Sequence, residues 1–216
     1  MRISGSLWLV PPAQQAEALA TAAAAGLTGV HWDATDGEFA TVGGFSSDAA
    51  TALLERVSGL YSEAHLMVNE PLSHIDRWAE FCSTIAVPFE ITDPWSSLRR
   101  IEERGARPAL AVSLETPLER IPSGSFDVLV MAITPGQAGA PFDDRAVDRV
   151  STLRARGCHE WVGVDGGVGP DQFRVLGLAG ANWIVSGSSL FGADDVGAWL
   201  AQCQRSCPPP ESESAP

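Results

Sequence analysis

VHWDATDG (residues 30–37) is an apolar run that ends in two ionisable side chains, His31 and Asp33, and breaks at once into an Asp-Gly turn. Residues two apart on a strand share a face, so His31 and Asp33 point to the same side near the strand's C-terminal end. The pattern recurs: AHLMV (64–68) carries His65, and VGVDGG (162–167) carries Asp165, each just ahead of a turn or loop. In a barrel of parallel strands, side chains from distant parts of the chain converge at those ends. A buried carboxylate there needs a cation or several donors to offset its desolvation.

The surrounding sequence supplies the other units. Apolar or β-rich runs lie near residues 2–9, 28–33, 61–68, 85–91, 108–113, 126–133, 160–165 and 182–186. Stretches with helical spacing separate them, near 12–25, 46–59, 72–82, 95–105, 143–157, 170–179 and 193–204, with a weak connection of about one turn near 116–122. Eight β/α units in this length predict an α/β chain folded as one (β/α)8 barrel over residues 1–206. An open eight-stranded sheet is the alternative. Gly26, Gly105, Gly157 and Gly180 each follow a helical stretch, where a left-handed cap is expected. CPPPESESAP (207–216) cannot bury a core and reads as a disordered tail.

Charge excludes several functions. The net charge of −13 argues against nucleic acid or an anionic membrane surface as a partner. All 14 basic residues are arginine, so neither a lysine Schiff base nor a Walker-type lysine is available. No apolar run reaches membrane-spanning length and no signal peptide is recognised, which reads as a cytoplasmic protein. The four cysteines lack CxxC spacing and read as reduced thiols.

His31, Asp33, His65 and Asp165 form the candidate metal site. Two imidazoles and two carboxylates suit one divalent ion, and the set does not choose among Zn²⁺, Mn²⁺, Co²⁺ and Fe²⁺. Asp36 reads as a turn residue, His74 as a solvent-facing helix residue and His159 as part of the barrel's opposite end. Gly166 and Gly167 after strand seven, with Gly187 and Ser188 after strand eight, lie where many barrels hold phosphate on backbone amides. MAITPGQAGAPF (131–142), containing Gly136 and Gly139, reads as a cover loop over substrate.

These residues resemble the ribulose-phosphate 3-epimerase family. GSL (5–7), VHWDATDGEF (30–39), AHLMV (64–68), VMAITPGQAG (130–139), VDGGVGPD (164–171) and GANWIVSGSSLFG (180–192) occur in family order from residue 3 to about 200. The resemblance implies a (β/α)8 barrel with one divalent metal on His31, Asp33, His65 and Asp165. It also implies Asp33 and Asp165 as acid and base on opposite faces of a ketose phosphate, exchanging the C3 proton through a metal-stabilised 2,3-enediolate. Ser6, His65, Met67 and Met131 would contact substrate, and the default pair is D-ribulose 5-phosphate and D-xylulose 5-phosphate. Family members form dimers or larger rings, so the resemblance admits a homo-oligomer.

The departures fall around substrate. Thr35 replaces a family methionine, FATV (39–42) replaces FVPN, and the cover loop has Gln137 and Ala138 where PGFGG is usual. SLET (113–116) replaces an N/K-P-x-T stretch, and Glu90 ends the fourth strand where histidine is common. A different sugar phosphate, such as an allulose 6-phosphate or a specialised-metabolism sugar, is therefore the alternative substrate. A non-catalytic sugar-phosphate binder and a metal-assisted retro-aldolase are the readings from other classes.

Overall fold

The eighth strand pairs with the first, which decides between closed barrel and open sheet. In a computed structural model that describes residues 1–124, 126–157 and 159–206, β8 (Trp183–Ser186) runs parallel to β1 (Arg2–Ser6), with Ile3 opposite Ile184 and Gly5 opposite Ser186. Between them lie β2 (Gly29–Thr35), β3 (Tyr61–Met67), β4 (Thr84–Pro88), β5 (Arg107–Val112), β6 (Asp127–Met131) and β7 (Val162–Asp165), each parallel to its neighbours. The chain is a (β/α)8 barrel.

The outer layer is α1 (Pro12–Ala24), α2 (Ser47–Leu54), α3 (Leu72–Trp78), α4 (Pro94–Glu103), α5 (Arg145–Ala155), α6 (Pro170–Ala179), the single turn α7 (Ser188–Phe191) and α8 (Val196–Ser206). Local chemistry sets where several begin. Ser46 and Asp93 accept from the amides of Ala49 and Ser96, supplying partners for helix-start N–H groups. Pro12, Pro94 and Pro170 occupy first-turn positions that need no amide hydrogen. Gly26, Gly105, Gly157 and Gly180 all have positive φ just past helix ends, as expected. Among the described residues between β5 and β6, the one helical element is a 3₁₀ turn, Leu118–Arg120, matching the weak connection.

Some boundaries move. β1 stops at Ser6 rather than residue 9, because Leu7 to Val10 fold into a turn closed by Val10 N–H on the Leu7 carbonyl ahead of the two prolines. β2 continues past Asp33 to Thr35, since the loop after it folds back and pairs Ala34 with Gly44. Glu90 lies in the turn beyond β4 and accepts from Ser113 N and Thr116 Oγ1, so it ties two loops together. Residues 207–216, where a tail is predicted, and Cys158 lie outside the described residues. Among the described residues, no helix is long and apolar enough to cross a membrane.

Strand parity sorts the core into two layers. Val30, Trp32, Ala64, Leu66, Val128, Val130, Val162, Val164 and Ile184 face the helices and make the main apolar core. Ala86, Ala109, Ala111, Leu129, Met131, Trp183 and Val185 fill the barrel interior. The small residues on β4 and β5 leave room for Trp183 and Met131. Gly163 does the same on β7, since a Cβ there would stand 2.4 Å from the Trp183 ring.

Candidate active site and metal centre

Register and parity together assemble the site. On β2 and β3 the pairs His31/Glu63 and Asp33/His65 are direct cross-strand neighbours, and all four side chains have the parity that faces the barrel interior. Asp165 enters the same layer from β7, beside Met131 on β6. His31, Asp33, His65 and Asp165 each place a ligand atom so that all four atoms lie within 4.8 Å of one another. Among the described residues this is the group of His, Cys, Asp and Glu able to hold an ion.

The spacing within the cluster fits an ion better than hydrogen bonds. His31 Nε2 lies 3.5 Å from Asp33 Oδ1 and 3.8 Å from Asp165 Oδ2, and His65 Nδ1 lies 3.8 and 3.7 Å from the same two oxygens. These separations are too long for hydrogen bonds. Two ligands each about 2.1 Å from a common ion at a tetrahedral angle stand roughly 3.4 Å apart, close to what is seen. His31 Nε2 and His65 Nδ1 are both buried without a hydrogen-bond partner. Orphaned buried nitrogens are costly, and a divalent cation between them and the two carboxylates removes that cost.

The electrostatics agree. Burial pushes the His31 and His65 pKa values down, but Asp33, Glu63 and Asp165 around His31, and Asp165 and Asp33 around His65, more than reverse this and raise both above the ordinary imidazole value. Burial alone would raise Asp33, yet the two imidazoles hold it well below the usual carboxylate range. In the ion-free resting cluster Asp33 is therefore an anion, and the cluster attracts positive charge.

A pocket opens directly above. Ser6, Asp33, Met67, Met131, Gly136, Gly139, Asp165, Gly166, Gly167, Gly187 and Ser188 line it, so every expected contact residue reaches it except His65. His65 is buried beneath the lining, in the ion-ligating layer. Ile133, Pro135 and Ala138 of the expected cover loop also line the pocket, together with Trp8 and Leu9, which the sequence did not single out. The signal for Trp8 and Leu9 was position, since both lie within three residues of the end of β1 at Ser6. The cover loop packs across this opening: Gly136 lies against Ala40 and Thr41, and Gly139 against Leu9. Among the described residues, no arginine lines the pocket. Asp36 accepts from the amides of Glu38, Phe39 and Asn69, the turn role expected of it. His74 is exposed, and His159 is buried with its Nδ1 3.0 Å from the Phe126 carbonyl oxygen.

The model of the ribulose-phosphate 3 epimerase family matches residues 2–191. This chain belongs to the ribulose-phosphate 3-epimerase family. It is an isomerase of the epimerase type. The cytoplasmic isoform of ribulose-phosphate 3-epimerase from Oryza sativa subsp. japonica is 32% identical over 189 residues, covering 82% of this chain and 81% of the relative. Ribulose-phosphate 3-epimerase from Mycobacterium bovis is 31% identical over 199 residues, covering 85% and 84%. Among solved structures, 3-hexulose-6-phosphate synthase from Salmonella typhimurium superposes with a TM-score of 0.74 at 15% identity, covering 95% of this chain and 98% of that one. That likeness concerns the fold alone. Within this epimerase-family barrel, Ser6 Oγ donates to Asp33 Oδ2 at 2.6 Å, which leaves Asp33 Oδ1 to face the imidazoles.

Proposed function

We propose that this chain inverts C3 of a ketose phosphate, with D-ribulose 5-phosphate and D-xylulose 5-phosphate as the substrate pair. One observation carries the reading: Asp33 and Asp165 both reach the pocket floor while sharing a cluster with two orphaned imidazoles. Inversion at carbon needs one group to take a proton from one face and another to return a proton to the other face. Asp33 and Asp165, arriving from β2 and β7, are the two ionisable side chains that line the pocket among the described residues. One removes the C3 proton, and the second, already protonated, delivers its own to the opposite face of the enediolate. The roles exchange in the reverse direction.

His31, Asp33, His65 and Asp165 would hold a divalent ion, which when bound neutralises negative charge developing on substrate oxygens. Met67 and Met131 flank the reacting carbons with apolar surface, and the cover loop between Pro135 and Gly139 excludes water. The phosphate lies against the backbone of Gly166, Gly167, Gly187 and Ser188. Amide donors suit a pocket without a basic side chain.

The test is incorporation of solvent deuterium at C3 across a panel of ketose phosphates, with Co²⁺, Mn²⁺, Zn²⁺ or Fe²⁺ supplied. The panel includes a six-carbon ketose phosphate, because Trp8 and Ala138 help shape the pocket wall. Fastest exchange with the five-carbon pair supports the proposal. No exchange with any member would overturn it, and binding without exchange would show a sugar-phosphate binder.

A further inference from the structure

Glu63 belongs to no step described so far, yet it is fully buried inside the barrel, one layer below the ion-ligating atoms. Its Oε1 accepts from Trp183 Nε1 at 2.7 Å and lies 2.9 Å from His31 Nδ1. Its Oε2 stands 3.0 Å from Arg2 Nη2. The Arg2 guanidinium is itself enclosed by aromatic faces, 4.1 Å from the Tyr61 ring centre, 4.6 Å from Trp161 and 4.8 Å from Trp183.

Such a floor is expensive to build. Burying each ion of a pair carries a desolvation penalty, and apolar side chains of similar volume pack a barrel interior without it. The compensation lies in what the pair does to its neighbour. Guanidinium and indole N–H groups only donate, and a carboxylate only accepts. With the Trp183 indole donating to Oε1 and the Arg2 guanidinium facing Oε2 as an ion pair rather than a hydrogen bond, Glu63 remains an acceptor, and His31 Nδ1 must carry the hydrogen between them. The neutral His31 ring then presents an unprotonated Nε2, the nitrogen that faces Asp33 and Asp165.

We infer that Glu63 is a positioning residue: clamped by Arg2 and Trp183, it fixes the tautomer and ring orientation of His31 and so aims Nε2 at the ion. This inference rests on the ion-site reading above. Glutamine cannot replace Glu63, because one side of an amide would turn N–H groups toward a donor, either Arg2 or the His31/Trp183 pair. Aspartate keeps the acceptors and the charge on a shorter stem.

The experiment is a Co²⁺ titration of the full chain, followed by visible absorption, for the wild type and the Glu63→Gln, Glu63→Asp and Trp183→Phe variants. Loss of such an orienting partner typically weakens ion affinity about 10- to 100-fold. Glu63→Gln is expected to fall in that range with an altered absorption envelope, Glu63→Asp to recover most of the loss, and Trp183→Phe to lie between. Thermal midpoints of the ion-free proteins separate this from unfolding. Should Glu63→Gln fail to fold, proton NMR of the Zn²⁺-loaded wild type decides: a slowly exchanging, downfield Nδ1–H from His31 is expected, absent in His31→Gln. Wild-type affinity and spectrum in Glu63→Gln, or no such proton in the wild type, overturns the inference. No Co²⁺ uptake by the wild type overturns the ion-site reading itself.

Discussion

The Ser6 hydroxyl donates to Asp33 Oδ2 at 2.6 Å, so β1 holds one oxygen of an acid whose other oxygen faces His31 and His65. A hydrogen bond to a charged group is worth about 1.5–3 kcal/mol, and each 1.4 kcal/mol is about tenfold in rate. Ser6→Ala should therefore lower kcat for C3 exchange about tenfold or more with a smaller change in KM. Steady-state kinetics check this, and an unchanged kcat would show that Asp33 holds its orientation without Ser6.

Asp33→Asn and Asp165→Asn should each reduce C3 proton exchange by about 10²- to 10⁴-fold, the usual range for a general acid or base. Deuterium incorporation read by mass spectrometry gives the loss, and parallel Co²⁺ titrations separate proton transfer from ion loading. Full activity in either variant would exclude the two-acid mechanism.

Chelation should abolish activity, and re-addition of a divalent ion should restore it. In the ion-free site the carboxylates raise the His31 and His65 pKa values, so ion binding displaces protons and affinity increases with pH. The stability consequence has a definite sign. Raised imidazole values add stability that is complete below the ordinary histidine value, about 6.5, and is lost as pH rises through the higher folded values. Depressed Asp33 adds stability present above the ordinary carboxylate value and lost as pH falls through its lower folded value. The ion-free protein should thus lose thermal stability on the alkaline side while the loaded protein does not. Melting curves across pH, with and without ion, test both statements.

Gly167 has φ +66°, and a Cβ there would stand 2.4 Å from the backbone nitrogen of Phe142. Left-handed backbone costs a residue with a side chain about 1–2 kcal/mol before that clash is counted. Gly167→Ala should move the cover loop and the phosphate-facing backbone together, raising KM about tenfold while Co²⁺ affinity stays within about twofold. Inhibition by inorganic phosphate should weaken in parallel. A KM equal to the wild type would place the phosphate elsewhere.

Much of this was legible in the residues. Strand parity alone put His31 with Asp33 on one face, because side-chain direction along a strand is local geometry. Turn chemistry likewise identified Asp36 and the helix-end glycines. Trp8 and Leu9 were missed because β1 ends at Ser6, and only the turn at Leu7–Val10 brings them over the pocket. Glu63 shares parity with His65 and Met67, a signal present in SEAHLM, but its purpose depends on partners far away.

From the sequence alone came the alternation of strands and helices, the inward faces, the ligand types and the absence of lysine, since each depends on neighbours along the chain. Tertiary structure decided the rest. Closure of β8 onto β1 sets Arg2 opposite Trp183, and the β2–β3 register sets His31 opposite Glu63 and Asp33 opposite His65. Those pairings arise because every strand must satisfy its backbone hydrogen bonds on two neighbours at once, a condition met only when the whole barrel is formed.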